Sequence, residues 1–153
     1  MMRRTGLKPE FLYYPLSEQQ REIVRQLIRD YVRQHGCPEA IFCHSDDVAL
    51  GIYRGLCDLK LRVPQEVALV GCDGIQDGEY LECPLTTIVQ PVAEMCAAAW
   101  RFLVQRLERP KMKKQQTVLK PKLVVRESSR RRGPVKPPGQ RDAAGATTGN
   151  SPS

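Results

Sequence analysis

No stretch of the 153 residues approaches the roughly 18 consecutive apolar side chains that a membrane-crossing helix needs. The start, Met1-Met2-Arg3-Arg4-Thr5-Gly6, is positive but no apolar stretch follows it, so a secretory signal is not expected and the chain reads as cytoplasmic. C-x-x-C pairs are also missing. The cysteines at 37, 43, 57, 72, 83 and 96 mostly stand singly in apolar surroundings, as reduced thiols acting as small hydrophobes. Only two histidines occur, and neither His35 with Cys37 nor Cys43 with His44 offers tetrahedral ligand spacing. No metal and no cofactor are expected.

Catalytic signatures are lacking as well. There is no Gly-x-Ser-x-Gly elbow and no phosphate-cradling loop, and Gly71-Cys72-Asp73-Gly74 does not complete a dinucleotide fingerprint. Asp46 and Asp47 are adjacent at a helix start, so their carboxylates point apart and do not form a working acid pair. The sequence reads as a non-enzyme.

Positive charge is present but badly distributed. The formal net charge is +7, and residues 130–153 account for +4 of it through Arg130, Arg131, Arg132, Lys136 and Arg141 against Asp142. The remaining body, at +3, is too near neutrality for a basic nucleic-acid module. The tail has too little apolar surface to fold and is expected to be disordered; its arginines could neutralise a few phosphates without reading sequence.

The rest alternates strand and helix patterns. Leu12-Tyr13-Tyr14 is a β-prone run ended by Pro15, and Ser17-x-x-Gln20 reads as a capping box. Ile23, Val24, Leu27, Ile28, Tyr31 and Val32 then form a helical stripe that Gly36 and Pro38 stop. Ala40–Cys43 reads as a strand, and Ser45 or Asp46 caps a helix that buries Ala49, Ile52, Leu56 and Leu59. Val67–Gly71 is an unbroken apolar run suited to a parallel sheet covered on both faces. Thr86–Val89 is a further strand, and Pro91 opens a helix carrying Val92, Met95, Cys96, Ala99, Leu103 and Leu107. Short segments at Val118-Leu119 and Leu123–Val125 close the ordered part. This order predicts an α/β fold with an open, mostly parallel sheet flanked by helices.

In such sheets ligands bind at the carboxyl ends of the strands. Ser45 and Asp46, Asp73, and Gln90 each follow a strand there, and their carboxylate, hydroxyl and amide groups suit a polar ligand. Each also has a plainer use: Asp46 as a helix cap, Asp73 as a turn former before Gly74, Gln90 as a cap for the next helix.

Four ordered segments carry a resemblance over about 90 residues: AIFCHSDDVALG from Ala40, LRVPQEVALVGCD from Leu61, PLTTIVQP from Pro84 and LVVRESS from Leu123. Together they resemble the C-terminal half of the sensor domain of lactose/galactose repressor (LacI/GalR) family regulators, which is similar to periplasmic binding proteins. The resemblance implies a sensor spanning 1–129 followed by the tail 130–153, binding a sugar or another small polar effector. It makes Asp73 the ligand-contacting acid, matches Asp46 and Gln90 to family positions, and puts Ser45 where the family has Asn. Leu16 falls near a position that often carries a stacking aromatic ring. The family acts as homodimers and reaches DNA through a helix-turn-helix, which is not found here, and most of one lobe is missing too. The chain thus resembles a truncated sensor, one wall of a two-walled cleft. An import-system sugar-binding protein shares the fold and is the alternative; upstream sequence encoding a helix-turn-helix or a secretory segment would separate the two.

In that family the helix after Pro91 packs its stripe against the lobe that is largely missing. Each large apolar side chain left in water forfeits about 1.5–3 kcal/mol of burial. The expectation is a marginally stable chain that self-associates through this helix.

Overall fold

The computed structural model describes residues 9–15 and 17–130. The expectations for the tail from residue 131 onward and for Leu16 lie outside the described residues.

Among the described residues three helices and four strands follow in the order α1 (Gln20–His35), β1 (Ala40–Phe42), α2 (Asp46–Asp58), β2 (Ala68–Asp73), β3 (Thr86–Val89), α3 (Val92–Glu108) and β4 (Lys122–Val124). Short 3-10 turns at Gln76–Glu79 and Glu127–Ser129 fill two connections. The strands form one sheet in the order β1-β2-β3-β4. β1 and β2 pair in parallel, as do β2 and β3, while β4 returns antiparallel to β3 with Thr87 opposite Val124. The open, mostly parallel α/β sheet predicted from the sequence is present.

One face of the sheet is well covered. Val24 and Ile28 of α1 are buried with Val48, Ala49, Ile52 and Leu56 of α2, and with Leu69 and Leu85 from the sheet side. The two helices meet closely because α2 presents glycine at the contact. A Cβ on Gly51 would fall on the Arg21 carbonyl and Val24, and one on Gly55 would strike Ile28 and the Arg25 backbone. At the end of α2, Asp58 accepts from Arg25 of α1 at 2.6 Å, and Arg54 lies 3.3 Å from the same carboxylate.

The other face is different. Only Ala98 of α3 is buried, whereas Trp100 is 68% and Leu107 72% exposed, with Val92, Met95 and Leu103 also open to solvent. The exposure expected for this helix is what the structure has.

Four local expectations need correction. Ser17 does not cap α1: its Oγ accepts from the Gln19 amide, and the helix starts at Gln20. Leu12-Tyr13-Tyr14 forms no strand, because a β-prone run needs a neighbouring backbone to pair with, and Tyr14 is held by its hydroxyl instead. Val118-Leu119 likewise stays outside the sheet, with Val118 exposed. Pro91 is the residue before α3 rather than its first.

Candidate functional site

The carboxyl ends of β1, β2 and β3 lie along one edge of the sheet because the three strands run parallel. Asp73 ends β2 and pairs in register with Val89, so Gln90 follows at the next step on the neighbouring strand. Their side chains meet: Gln90 Nε2 donates to Asp73 Oδ1 at 2.7 Å. Among the hydrogen bonds of the described residues, Asp73 Oδ2 accepts none. Asp73 also holds φ 124, a left-handed backbone that costs a non-glycine residue about 1–3 kcal/mol. Strain of this kind persists only where the surroundings impose it, here the β3 pairing on one side and the anchored turn at Gly74 on the other.

That anchor is Asp46. The sequence reading offered it as a ligand-contacting residue or a helix cap, and the structure gives it neither place. The residue is 0% exposed. Its Oδ2 accepts from the amides of Gly74 at 2.7 Å and Ile75 at 2.9 Å, and its Oδ1 accepts from Thr87 Oγ1 at 2.6 Å. A buried carboxylate tolerates its position only with such donors. The residue ties the first turn of α2 to the loop after β2 and to β3. Gly71 makes room for it, since a Cβ there would fall on Asp46 Oδ1.

Ser45 is the cap of α2, accepting from the Val48 amide at 3.3 Å. It stands at the carboxyl end of β1, on the same sheet edge as Asp73 and Gln90, with its hydroxyl already engaged by the helix.

Sequence reasoning missed two features. His44, exposed beside Ser45, has both ring nitrogens 3.3 Å from the Tyr14 hydroxyl, which also accepts from Gln20 Nε2 at 3.0 Å. Tyr14 and His44 are 30 positions apart, so no local spacing could announce the pair. The second is a buried polar clasp. Ser128 Oγ accepts from the Thr86 amide at 2.8 Å and donates to the Leu69 carbonyl at 2.6 Å, while Thr86 Oγ1 donates to the Arg126 carbonyl at 3.0 Å. Thr86 and the serines after Glu127 are therefore structural partners.

Electrostatics separates the thiols. Burial, with a smaller push from the Asp46 charge, raises the Cys43 thiol to about 12, so it stays a neutral S–H. Cys72, beside the site, is raised first by desolvation and then by the charges of Asp73 and Asp46. No group of three or more His, Cys, Asp or Glu side chains able to hold a metal occurs among the described residues. A groove of about 640 Å³ adjoins the edge between the sheet and α3, lined mainly by Cys72, Ile88, Met95, Phe102 and Leu119, with Gln90 contributing a polar side chain.

This arrangement is a strand-end polar edge on an α/β sheet. Residues 1–129 match the periplasmic binding protein-like domain. The chain belongs to that family. It is 40% identical over 101 residues to the ribose operon repressor of Haemophilus influenzae, covering 66% of this chain and 30% of that protein. A LacI family transcriptional regulator from Arthrobacter sp. FB24, solved in complex with lactose, superposes with a TM-score of 0.67 at 32% identity, covering 74% of this chain and 43% of that one. The transcriptional regulator CelR in complex with cellobiose gives a TM-score of 0.74 at 27% identity over 84% of this chain and 39% of that one. The LacI-type sensor resemblance read from the four motifs is thereby shown. The chain spans about a third of the length of the curated relative. No helix among the described residues is long and apolar enough to cross a membrane.

Proposed function

We propose that this chain is the effector-binding sensor portion of a LacI-type transcriptional regulator. A sugar or similar small polar ligand docks on the carboxyl edge of the sheet against Asp73 and Gln90, with Ser45 beside them. The Asp73–Gln90 contact carries the reading. It joins an acceptor with an oxygen left over to an amide, at the sheet position where α/β folds take ligands, on a backbone held in a costly conformation. A carboxylate that accepts from vicinal hydroxyls is a natural partner for a sugar. The lactose and cellobiose complexes of related regulators support that ligand class. On this reading the chain is cytoplasmic and catalyses nothing. In the full-length regulator, a homodimer, DNA contact belongs to a helix-turn-helix outside this chain.

Calorimetric titration of the whole chain with D-ribose, lactose and cellobiose tests the proposal. At least one sugar should bind. Asp73→Asn, chosen because Asn tolerates positive φ, should weaken that binding at least ~10-fold through the lost charge-assisted hydrogen bond. Failure of all three sugars to bind, or an unchanged affinity in Asp73→Asn, overturns the assignment.

A further inference from the structure

The end of β1 carries a polar side chain that the fold leaves uncommitted. Backbone pairing of β1 runs one step past Phe42, where the Cys43 amide donates to the Val70 carbonyl at 2.8 Å. His44 is the next residue, so it stands at the carboxyl end of β1 as Asp73 stands at the end of β2 and Gln90 just past β3. Counted on from the Phe42–Val70 pair, it comes level with Cys72, one residue before Asp73. Neighbouring strands lie about 4.8 Å apart. His44 and Asp73 therefore head adjacent strands of one edge.

The contact with Tyr14 fixes what the ring can do. The tyrosine hydroxyl is 3.3 Å from Nδ1 and 3.3 Å from Nε2. The bonding directions of the two nitrogens lie in the ring plane and diverge, so a hydroxyl equidistant from both lies along neither. Tyr14 thus props the imidazole without using up a nitrogen. The prop is itself anchored: the Tyr14 ring packs against the core cluster, and its hydroxyl accepts from Gln20 Nε2 at 3.0 Å. Among the hydrogen bonds of the described residues, the His44 ring makes no other. A neutral imidazole offers one donor and one acceptor. Ser45, by contrast, has its hydroxyl accepting from the Val48 amide, which leaves His44 the freer polar group at this strand end.

We infer that His44, held by Tyr14, is a specificity-determining ligand contact, resting on the strand-edge sugar site proposed above and pairing with a sugar hydroxyl other than the one at Asp73. From β1 to β3 is two strand spacings, about 10 Å. One hydroxyl cannot serve both His44 and Gln90. The row His44, Asp73 and Gln90 therefore selects a ligand with hydroxyls spread around a ring over one with a single polar end. Because Tyr14 already holds the imidazole, little side-chain freedom is lost when the ligand docks.

Calorimetric titration of the whole chain with D-ribose, lactose and cellobiose, and with the monodeoxy forms of whichever binds, tests the role. His44→Ala should weaken that sugar roughly 5- to 10-fold, the worth of one hydrogen bond. Tyr14→Phe keeps the packed ring but drops the prop, and should weaken it less. One monodeoxy form should bind wild type and His44→Ala alike, since the missing hydroxyl and the missing ring are partners. The urea midpoint of His44→Ala should not move, because the side chain is exposed. A sugar that responds to Asp73→Asn but ignores His44→Ala overturns this role alone and leaves the strand-edge site standing. A midpoint that falls together with the affinity, or an affinity loss that every monodeoxy form shares, also overturns it, by making His44 structural. If none of the three sugars binds, the site fails and the role of His44 fails with it.

Discussion

The two helical layers of this molecule use similar amounts of apolar sequence for different ends. α1 and α2 bury Val24, Ile28, Ala49, Ile52 and Leu56 against each other and the sheet, with Gly51 and Gly55 letting the backbones close up. α3 carries Val92, Met95, Trp100, Leu103 and Leu107 and buries none of them. Helix propensity and amphipathic patterning do not distinguish the two. The difference is whether a complementary surface lies within the described chain. An apolar stripe specifies that a helix needs a partner and says nothing about where the partner is.

The sharpest way to test this contrast is to make the same deletion in both layers. Leu56→Ala should lower the unfolding free energy by about 2–5 kcal/mol, the cost of a cavity in a packed core. Leu107→Ala, measured in dilute monomeric solution, should change it by less than ~0.5 kcal/mol. Urea denaturation monitored by circular dichroism gives both values, and similar losses in the two variants would erase the distinction.

A smaller effect is expected where the packed half is pinned to the strand edge. Asp46→Ala strips the Gly74 and Ile75 amides and the Thr87 hydroxyl of their acceptor. The cost should be about 1–3 kcal/mol, chiefly for the buried Thr87 hydroxyl left unpaired. Asp46→Asn keeps one acceptor oxygen and should cost less. If the anchor holds the turn in place, hydrogen exchange at Gly74 and Ile75 should quicken in Asp46→Ala more than at Leu69, within the same strand system. Unchanged exchange at those two amides would show that the turn is held by something else.

The smallest effect lies at the end of α2, where Asp58 meets α1. Asp58 sits below the usual carboxylate range, chiefly because Arg25 hydrogen-bonds to it, with Arg54 and Arg29 adding favourable charge. A depressed carboxylate stabilises the fold above its unfolded value, about 3.9. That contribution fades as pH falls through the lower folded value. Stability curves of the wild type and Asp58→Asn should therefore differ near neutrality and converge below about pH 4. A gap that persists into acid would assign the Asp58 effect to packing.

Much of this was legible in the sequence. The helical stripes of α1, α2 and α3 and the strands at β1, β2 and β3 follow from periodicity and from Gly and Pro punctuation. So does the convergence of Asp73 and Gln90, once two parallel strands are laid side by side. The failures share a cause. Leu12–Tyr14 has strand-forming residues, but strand formation is decided by a neighbour that local sequence does not name. Asp46 followed a strand like the other candidates, yet its burial depends on Thr87 and Gly74, far along the chain. Ser128 and His44 were invisible for the same reason: their partners Leu69 and Tyr14 lie 59 and 30 positions away.

The separation at Ser128 also bears on the order of events when the chain folds. The Leu69 carbonyl and the Thr86 amide belong to the two central strands, and both wait for one hydroxyl that lies near the end of the described residues. Long-range closures of this kind carry a loop-entropy cost before they return any stabilisation. The α1–α2 pair, joined by a short connection, has no such delay. By this cost, docking of the C-terminal clasp is expected late in folding. A chain stopped at residue 127 would keep its helices but leave two buried polar groups in the middle of the sheet permanently unanswered.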